Sequence, residues 1–422
     1  MSEVRQAGRL GSLLAAVVAG NSFYREKYRE LLAARPPGWV PSAAELHELP
    51  FTTKDELVAD QARHPPFGSN HTVPLDRFIR LHRTSGTTGR PLFWLDTPES
   101  WAWWLDCWAE IYRAAGVSAG DRVFVPFSFG PFIGFWAGFE AAGRVGAMAI
   151  PGGGLDSARR LELMVECGAT AVVATPTYAL HLAEVARAEG IDLAAGPVRV
   201  TIHAGEPGAN VPNVKARIEA AWGARAVDHV GATEVGPWGY ACGEADHLHV
   251  NEAEFLAELL PAGGGDARPL PLREAAGESG ELVLTNLGRS CSPVIRYRTA
   301  DLVAVGAGRC PCGRDSAFLA GGVLGRVDGM VVVRGINVFP SAIEDAVRGF
   351  AAIAEFEVEV ERSRELAELV IRIEVADGDP AAVARELAGS VHRRLALRPR
   401  VEPVAAGSLP RYELKARRFK LA

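Results

Sequence analysis

Between about residue 100 and residue 300, short apolar runs alternate with segments of helical pattern, and this alternation most restricts the possible fold. The runs 123–126, 147–150 and 171–174 each hold four mostly apolar residues, as strands of a parallel sheet do when both faces are buried. Segments such as 101–115 and 159–167 show helical periodicity. The pattern predicts a layered α/β domain with parallel-rich sheets, in which ligands bind beyond the carboxyl ends of the strands.

The pattern changes after Gly325. Residues 356–361 and 369–375 alternate apolar with charged side chains, which is typical of strands with one buried face. Helical segments at 341–350 and 379–397 accompany them. A small α+β domain of roughly a hundred residues is therefore expected at this end of the chain.

A chain of 422 residues is too long for a single compact core, so at least two domains are expected. We place the boundary in the segment 325–329, where a Gly-Arg-Val-Asp-Gly turn separates the two patterns. This predicts a large N-terminal domain of residues 1–325 and a small C-terminal domain of residues 326–422.

The composition is that of an ordinary globular protein, with 48% hydrophobic and 23% charged residues. The formal net charge of −6 argues against a general nucleic-acid binder, because such proteins rely on a basic surface. Neither a secretory leader nor an apolar run of membrane-spanning length is evident, so a cytoplasmic location is expected. Six cysteines do not make a disulfide framework in a chain of this length.

The segment from His82 to Pro91 has the composition of an anion-binding loop. Glycines permit tight turns in which successive N–H groups converge on an anion, and hydroxyl groups add further donors. The candidate phosphate-binding residues are Thr84, Ser85, Gly86, Thr87, Thr88 and Gly89. The Gly-Lys-Ser/Thr ending of a Walker A loop is absent. By composition alone, a surface turn rich in Ser, Thr and Gly is an equally good interpretation.

Six motifs, in order along nearly the whole chain, resemble those of the adenylate-forming superfamily, which includes acyl-CoA synthetases, non-ribosomal adenylation domains and luciferases. Residues 84–91 resemble its signature loop, and Leu49-Pro50-Phe51-Thr52-Thr53-Lys54 resembles one branch, the phenylacetate–CoA ligase family. The further matching segments are Ala204-Gly205-Glu206-Pro207, Gly231-Ala232-Thr233-Glu234, Tyr297-Arg298-Thr299-Ala300-Asp301, residues 325–328 with 334–340, and Leu409-Pro410-Arg411-Tyr412-Glu413-Leu414-Lys415.

The resemblance implies an enzyme that uses ATP to convert a carboxylic acid into an acyl-adenylate and then into a thioester with coenzyme A. It implies that the small C-terminal domain is mobile, with Asp328 as the hinge and Gly335 beside the passage for the pantetheine arm. Glu234 would bind Mg²⁺, and Lys415 would be the catalytic lysine. The residues expected at ATP and AMP are Thr84, Ser85, Gly86, Thr87, Thr88, Gly89, Gly205, Glu206, Pro207, Asp228, His229, Val230, Thr233, Asp301 and Arg326.

The chemistry explains why these residue types are needed. The acid carboxylate must attack the α-phosphorus of ATP, so two anions have to be aligned and their charge neutralised. A magnesium ion near Glu234 would bridge phosphate oxygens. Lys415 is a compact cation suited to the α-phosphate region, although a lysine near a terminus is ordinarily a solvated surface residue.

Two departures from the family pattern stand out. Leu414 occupies a position where relatives usually have Gly, beside the predicted catalytic lysine. Val230 stands where relatives commonly have a tyrosine stacked on the adenine. An aliphatic face or another side chain would then cover the base. A histidine such as the preceding His229 is more often a packed structural residue than a ligand contact.

The acid pocket is predicted from an aromatic segment that follows the strand 123–126. The resemblance places Phe127 and Phe132 against the acid, and aromatic rings suit a flat ligand. Ordinary core packing is the alternative for either ring. The remaining walls would come from Ala204, Gly231, Ala232 and Pro237. The tryptophans at 101, 104 and 108 have the helical spacing of a core-facing stripe.

A structural zinc site is predicted around Cys310 and Cys312. Two thiolates do not complete a tetrahedral shell. Cys242 and either His249 or His247 can supply the rest, and the resemblance favours His249. Reduced cysteines without a metal are the alternative.

The leading hypothesis is an aryl-acid–CoA ligase that uses ATP, Mg²⁺ and coenzyme A, with a homodimer implied by the resemblance. A carrier protein or an amine is the alternative acyl acceptor. A remote alternative is a non-catalytic binding protein with the same fold. A change of one methylene in an apolar pocket is worth only about 1–3 kcal/mol, so the sequence leaves the particular acid open.

Overall fold

A computed structural model describes residues 2–84, 91–244, 246–261, 268–333, 336–363, 366–412 and 416–421. Several predicted site residues lie outside these ranges: Ser85, Gly86, Thr87, Thr88, Gly89, Gly335 and Lys415. Asp328 is described through its backbone, which belongs to the 3-10 turn Val327–Gly329.

The helices begin where helix-start signals stand in the sequence. Proline occupies the first turn of five of the helices, where its missing N–H costs nothing. Thr97, Thr175 and Asp379 cap their helices through side-chain oxygens. The helices are α1 Ser2–Gly20, α2 Ser22–Lys27, α3 Arg29–Ala33, α4 Lys54–Arg63, α5 Pro98–Ala114, α6 Ile133–Ala141, α7 Ser157–Glu166, α8 Pro176–Ala188, α9 Pro212–Trp222, α10 Pro340–Arg348 and α11 Pro380–Leu395.

The strands are short in the first three hundred residues and longer towards the end of the chain. They are β1 Arg80–Arg83, β2 Phe93–Asp96, β3 Arg122–Val125, β4 Met148–Pro151, β5 Ala171–Ala174, β6 Val200–His203, β7 Arg225–Ala232, β8 Gly236–Ala241, β9 His247–Val250, β10 Phe255–Pro261, β11 Leu270–Pro271, β12 Ser279–Asn286, β13 Tyr297–Val305, β14 Phe318–Arg326, β15 Val331–Val333, β16 Ile336–Val338, β17 Ile353–Ser363, β18 Leu366–Val375, β19 Arg400–Val404 and β20 Phe419–Leu421.

The first of two compact units comprises Met1–Gly154 and His229–Gly322. In this first unit β3 pairs with β4 in parallel, and β1 with β2 in a hairpin. Strand β8 pairs antiparallel with β7 and β9, and β10, β11, β12 and β13 form further antiparallel pairs. Helix α5 packs on β8. Its Trp101, Trp104 and Trp108 are at most 5% exposed, which confirms the predicted core-facing stripe.

The second compact unit comprises Leu155–Asp228 and Val323–Ala422. In this second unit β5, β6 and the start of β7 pair in parallel. In its C-terminal part β17 and β18 form a long antiparallel pair, with β20 parallel to β17 and β19 parallel to β18. Helices α10 and α11 cover a core that contains Ile343, Phe356, Ile371 and Leu387.

The predicted α/β class is confirmed, because the apolar runs are strands that pair in parallel and an α+β set of elements closes the chain. The domain boundary near residue 325 stays a prediction. The two compact units separate after Gly322, and the second one also includes residues 155–228. Within the described residues, none of the helices combines the length and apolar character that a membrane span requires.

Candidate active site

The β7–β8 hairpin carries Glu234 in its turn. The strand register shifts between Val230 and Ala232. At Gly231 a Cβ atom would lie 3.0 Å from the carbonyl oxygen of Gly236, and Gly236 itself has a φ of 122°. Glycine is therefore required at both positions. The result is a tight turn that presents a carboxylate 6% exposed.

A buried arginine fixes this turn. Arg289 is 0% exposed, and its Nη1 donates to the carbonyl of Thr233 over 2.6 Å. Its Nε and Nη2 donate to the carboxylate of Asp96 over 2.8 and 2.6 Å, a bidentate geometry that orients both groups. On the other side of Glu234, the amide of Asn286 donates to the carbonyl of Val235 over 2.9 Å. The backbone on both sides of Glu234 is thus held by buried side chains.

Lys54 lies beside Glu234. Its Nζ is 3.5 Å from Oε1 of Glu234, and the lysine side chain is 38% exposed. Lys54 is the first residue of α4, whose cap is the Thr53 hydroxyl. Lys54 is the last residue of the segment 49–54 that resembles the phenylacetate–CoA ligase family. Its position puts a cation next to the predicted magnesium carboxylate.

The segment that precedes Lys54 is bonded to the predicted ribose motif. The N–H of Thr52 donates to the carbonyl of Arg296 over 3.0 Å, and the N–H of Arg298 donates to the carbonyl of Thr52 over 2.9 Å. Arg296 also donates through Nη1 to the carbonyl of Leu49 over 2.5 Å. Two motifs about 245 residues apart in the chain therefore form one local structure.

The backbone around Asp301 is strained. Arg296 and Ala300 have φ values of 48° and 60°, a region that residues with a Cβ seldom adopt. The N–H of Ala300 donates to Glu281 over 3.1 Å, and that of Asp301 donates to the hydroxyl of Thr299 over 3.0 Å. Such conformations persist where surrounding bonds over-determine them, and they are frequent at functional sites.

Thr84 closes the base of the candidate phosphate loop. Its N–H donates to the carbonyl of Leu92 over 3.0 Å, and its hydroxyl accepts from the N–H of Leu92 over 2.9 Å. Strands β1 and β2 pair directly beside it, from Arg83 opposite Phe93 onwards. The loop that joins these two strands is the segment predicted to hold phosphate.

His229 is 4% exposed and packs edge-on against Trp108, with ring centroids 4.4 Å apart. Its Nδ1 lies 3.1 Å from the carbonyl of Gly239. Burial lowers the pKa of His229 to about 4, so the ring is neutral at neutral pH. These are the surroundings of a packed structural histidine. Neighbouring Val230 is partly exposed opposite Gly239 in the hairpin, and contact of either residue with a nucleotide stays a prediction.

The other predicted nucleotide residues belong to the second unit. Ala204, Gly205, Glu206 and Pro207 follow the end of β6, and Gly205 has a φ of 96°. Asp228 is 8% exposed and lies opposite His203 in the parallel register of β6 and β7. Arg326 is the exposed last residue of β14.

Both carboxylate oxygens of Glu206 accept backbone N–H groups. Oε1 accepts from Thr177 over 2.8 Å, and Oε2 accepts from Ala416 over 2.8 Å. Ala416 directly follows the predicted catalytic lysine in the chain. The predicted adenine-site glutamate is therefore bonded to the segment that carries Lys415.

The aromatic segment after β3 forms a ring cluster. Phe127 is 1% exposed and stacks on Phe135, with ring centroids 3.9 Å apart. Phe129 contacts Trp136, with ring centroids 4.8 Å apart. Phe132 is half-buried at the N-cap of α6. The ring contacts of Phe135 and Trp136 were not predicted, because both residues lie in a stretch whose pattern indicates only a helix.

The other predicted pocket residues divide between the two units. Gly231, Ala232 and Pro237 share the β7–β8 hairpin of the first unit, and Pro237 is buried there. Ala204 belongs to the second unit.

Four potential metal ligands converge in the first unit. The ligand atoms of Cys242, His249, Cys310 and Cys312 all lie within 4.8 Å of one another. Sγ of Cys310 is 3.4 Å from the sulfur atoms of both Cys242 and Cys312, and Sγ of Cys312 is 3.3 Å from Nε2 of His249. These separations match those between the ligands of a tetrahedral zinc ion. His247 lies outside this group, although its Nδ1 is 3.5 Å from Sγ of Cys310.

A second interaction orients the histidine of this cluster. Nδ1 of His249 lies 3.0 Å from the Ser316 hydroxyl, which leaves Nε2 directed at the cysteines, as is usual for metal-bound histidines. Burial lowers the pKa of His249 to about 4, so the imidazole is neutral. The donor set thus fits a closed Cys₃His zinc site.

Known proteins are similar to this chain over most of its length. Residues 335–420 match the family model described as the AMP-binding enzyme C-terminal domain. The phenylacetate–coenzyme A ligase of Escherichia coli (strain K12) is 31% identical over 423 residues, covering 97% of this chain and 92% of that protein. The enzyme of the same name from Pseudomonas putida is 30% identical over 405 residues, covering 93% and 88%. This chain belongs to the phenylacetate–CoA ligase family.

A solved structure extends the match to three dimensions. The 2-hydroxyisobutyryl-CoA ligase in the postadenylation state, in complex with R3-HIB-AMP, has a TM-score of 0.90 and 30% identity, covering 99% of this chain and 89% of that one. As a member of the phenylacetate–CoA ligase family, the protein is an AMP-forming acid–CoA ligase. It activates a carboxylic acid with ATP to an acyl-adenylate and joins the acyl group to coenzyme A.

Proposed function

We propose that the acid is aromatic and that the product is an aryl-CoA thioester. The observation that carries this proposal is the pair of ring contacts after β3, Phe127 on Phe135 and Phe129 on Trp136. The half-buried Phe132 caps the helix α6 that follows this segment. Rings of this kind offer edge and face contacts to an aryl ligand. The names of the relatives from E. coli and P. putida support the same class.

In the adenylation step the acid carboxylate attacks the α-phosphorus and pyrophosphate leaves. The loop that begins at Thr84 would hold the outer phosphates. Glu234 is a suitable magnesium ligand, because it is a buried carboxylate on a fixed turn, and the ion would neutralise phosphate charge. Lys54 adds a cation to the same place. Lys415 would stabilise the charge that develops at the α-phosphate.

In the thioester step the acyl group passes from the adenylate to a thiol. Asp328 would be the hinge for the movement of the C-terminal domain of residues 326–422, since a few residues can absorb the backbone change of domain closure. Gly335 would leave space for the pantetheine arm of coenzyme A. A carrier-protein phosphopantetheine or an amine is the alternative acceptor, and a homodimer is the expected assembly.

A small aliphatic 2-hydroxy acid is the second candidate substrate. It is favoured by the similarity to the 2-hydroxyisobutyryl-CoA ligase, which extends over 99% of this chain. The stacking of Phe127 on Phe135 would then serve to fill space and leave a small pocket. The two candidates differ in ring contacts and in size, so a direct competition distinguishes them.

A pyrophosphate-release screen tests the substrate class. Phenylacetate, benzoate, hydroxy- and aminobenzoates and 2-hydroxyisobutyrate are offered with ATP and Mg²⁺, with and without coenzyme A. We expect the highest release with an aryl acid, and thioester formation when coenzyme A is present. A response confined to aliphatic acids would show that the aromatic interpretation of Phe132 is wrong.

We also propose that the Cys₃His cluster holds a structural zinc ion, which would tie β9 to the segment before β14. The purified protein should contain about one zinc per chain by elemental analysis, as a closed four-ligand site requires. Cys310→Ser should lower that content and the melting temperature together. Cys167→Ser changes a half-buried cysteine outside the cluster and should leave the zinc content unchanged.

A further inference from the structure

The segment after Lys415 is anchored by Arg418. This side chain is 4% exposed and donates to both carboxylate oxygens of Glu355 over 2.6 and 3.0 Å. Its Nη1 also lies 3.3 Å from Oε1 of Glu344 and donates to the hydroxyl of Thr177 over 3.1 Å. The following strand β20 pairs in parallel with β17. Arg418 thus joins the tail both to the C-terminal sheet and to α8.

Thr177 contributes two groups to this arrangement. It is the second residue of α8, and its N–H is one of those at a helix start that lack a partner within the helix. That N–H donates to Glu206, and the side-chain hydroxyl accepts from Arg418. The second oxygen of Glu206 accepts the N–H of Ala416. We call these four residues, Thr177, Glu206, Ala416 and Arg418, the tail latch.

The tail latch holds the chain one residue and three residues after Lys415. A displacement of a catalytic group by 1 Å can reduce a rate by about a hundredfold, so the register of this segment controls where the lysine can reach. The Glu206 carboxylate accepts one hydrogen bond from the start of α8 and another from the N–H of Ala416. Hydrogen bonds to a carboxylate are stronger than those between neutral groups.

We propose that Thr177 and Arg418 are positioning residues for adenylation, which set the register of Lys415 through the tail latch. This inference rests on the proposed role of Lys415 at the α-phosphate. It assigns to Glu206 a second task besides nucleotide binding, because its carboxylate fixes the tail. The thioester step does not require the lysine in that register and should not depend on the latch.

Thr177→Val is the informative variant, since it removes the hydroxyl and keeps the branched shape and the backbone N–H. Thr177→Ser restores the hydroxyl and should restore the function. Thr201→Val makes the same change at a threonine that is 0% exposed in the same unit and bonded to His203 instead of the tail. Arg418→Ala would leave the buried Glu355 and Glu344 with Arg348 alone and is expected to destabilise the C-terminal part strongly, so it is not the deciding variant.

The two half-reactions are measured separately with the aryl acid that gives the highest pyrophosphate release. Adenylation is followed as acid-dependent pyrophosphate release in a single turnover without coenzyme A. Thioester formation is followed from the synthetic acyl-adenylate of the same acid plus coenzyme A. We expect Thr177→Val to slow adenylation about tenfold, the effect of losing one charge-assisted bond, and to leave thioester formation within about twofold.

Hydrogen exchange gives a readout that needs no substrate. In Thr177→Val the amides of residues 416–421 should exchange faster than in the unmodified chain, because the clamp on Arg418 is lost. Thr201→Val and Thr177→Ser should leave their exchange unchanged.

The outcomes separate the latch from the proposed function. Slower adenylation with normal thioester formation and faster exchange supports the latch. An equal loss in both half-reactions, or unchanged adenylation, overturns it while the unmodified enzyme still activates an aryl acid. Pyrophosphate release that survives Lys415→Ala would instead overturn the role of the lysine, and the latch with it.

Discussion

Two carboxylates that are predicted to lie at the nucleotide are held in opposite ways. Glu234, in the hairpin region of residues 229–240, stands on a turn fixed by Arg289 and Asn286, and its carboxylate faces the side chain of Lys54. Glu206, in the tail region formed by residues 204–207, the start of α8 and residues 416–421, is bonded through both oxygens to backbone N–H groups.

The difference indicates two mechanical demands. The hairpin region is built on a buried charge pair, which is costly to break because either partner would remain as an uncompensated charge. The tail region also contains a buried pair, Arg418 with Glu355, but Glu206 itself is held there by two individual hydrogen bonds. Such bonds are each worth a net of about 0.5–1.5 kcal/mol or somewhat more when charged, and water can replace them. The strong pair of the hairpin region would suit a fixed turn that binds a metal ion. The replaceable bonds of Glu206 would suit a segment that changes position between the two half-reactions.

Breaking the buried pair should have the largest effect. Arg289→Met leaves the carboxylate of Asp96 buried without its partner and should lower the free energy of unfolding by about 3–5 kcal/mol. Denaturant unfolding followed by tryptophan fluorescence measures it. Arg113→Met removes an arginine that is 57% exposed and should cost less than about 0.5 kcal/mol. A small loss in Arg289→Met would remove the basis for calling the hairpin region rigid.

Lys415→Ala tests the predicted catalytic lysine, which directly precedes residues 416–421 of the tail region in the sequence. We expect acid-dependent pyrophosphate release to fall by about 10²–10³-fold, with ATP binding retained in a calorimetric titration. Lys420→Ala is the matched control in the same tail, because that side chain is 58% exposed in its pair with Glu357. Its release rate should stay within about twofold. Unchanged release in Lys415→Ala would disprove the assignment of the catalytic lysine.

Acid should weaken both regions through buried histidines. Burial lowers the pKa of His229, the first residue of the hairpin region, and of His203, which directly precedes the 204–207 segment, from 6.5 to about 4. Between these values the unfolded chain binds more protons, so the stabilisation is complete above pH 6.5 and is lost as the pH falls towards 4. Each histidine can contribute up to about 3 kcal/mol.

Unfolding at pH 7 and pH 5 tests this dependence. His229→Asn should reduce the difference in unfolding free energy between the two pH values, since the titrating group is gone. His392→Asn changes an exposed histidine of α11 and should leave the difference intact. An unaltered difference in His229→Asn would mean that other groups govern the acid sensitivity.

The smallest effect is expected at Lys54. The pair with Glu234 is partly exposed on the lysine side, so Lys54→Met should change the free energy of unfolding by less than about 1 kcal/mol. The same chemical unfolding experiment measures it. If Lys54→Met lowered the free energy of unfolding as much as Arg289→Met, Lys54 would be one of the residues that hold the turn. The hairpin region would then not depend mainly on its buried pair.

Local patterns predicted much of this molecule. Apolar runs identified β3, β4 and β5, and alternating charges identified β17 and β18. This was possible because burial of one or both faces of a strand determines the pattern of its consecutive residues. The Cys and His spacing indicated the cluster that the structure brings within 4.8 Å. The contacts that hold the site were not predictable in the same way.

Those contacts join residues far apart in the sequence. Arg289 and Asp96 are 193 positions apart, and Glu206 and Ala416 are 210 apart. Arg289 is one of 45 basic residues, and the residues next to it in the sequence do not indicate that Asp96 is its partner. Similarly, Phe135 lies within a helical pattern, so its stacking on Phe127 could not be deduced from periodicity.

The bond network between Thr52 and residues 295–298 has a consequence for how the chain is made. Thr52 donates its hydroxyl hydrogen to a carbonyl 243 positions later, and residues 155–228, which belong to the other unit, are synthesised in between. Contacts of such long range are slow to form. During translation the helices at the start of the chain therefore cannot complete their contacts until the segment near residue 300 has been synthesised. The parallel strands β5 and β6 are close in sequence and can pair sooner. The N-terminal helices are therefore the part of the chain that should depend most on chaperones during folding.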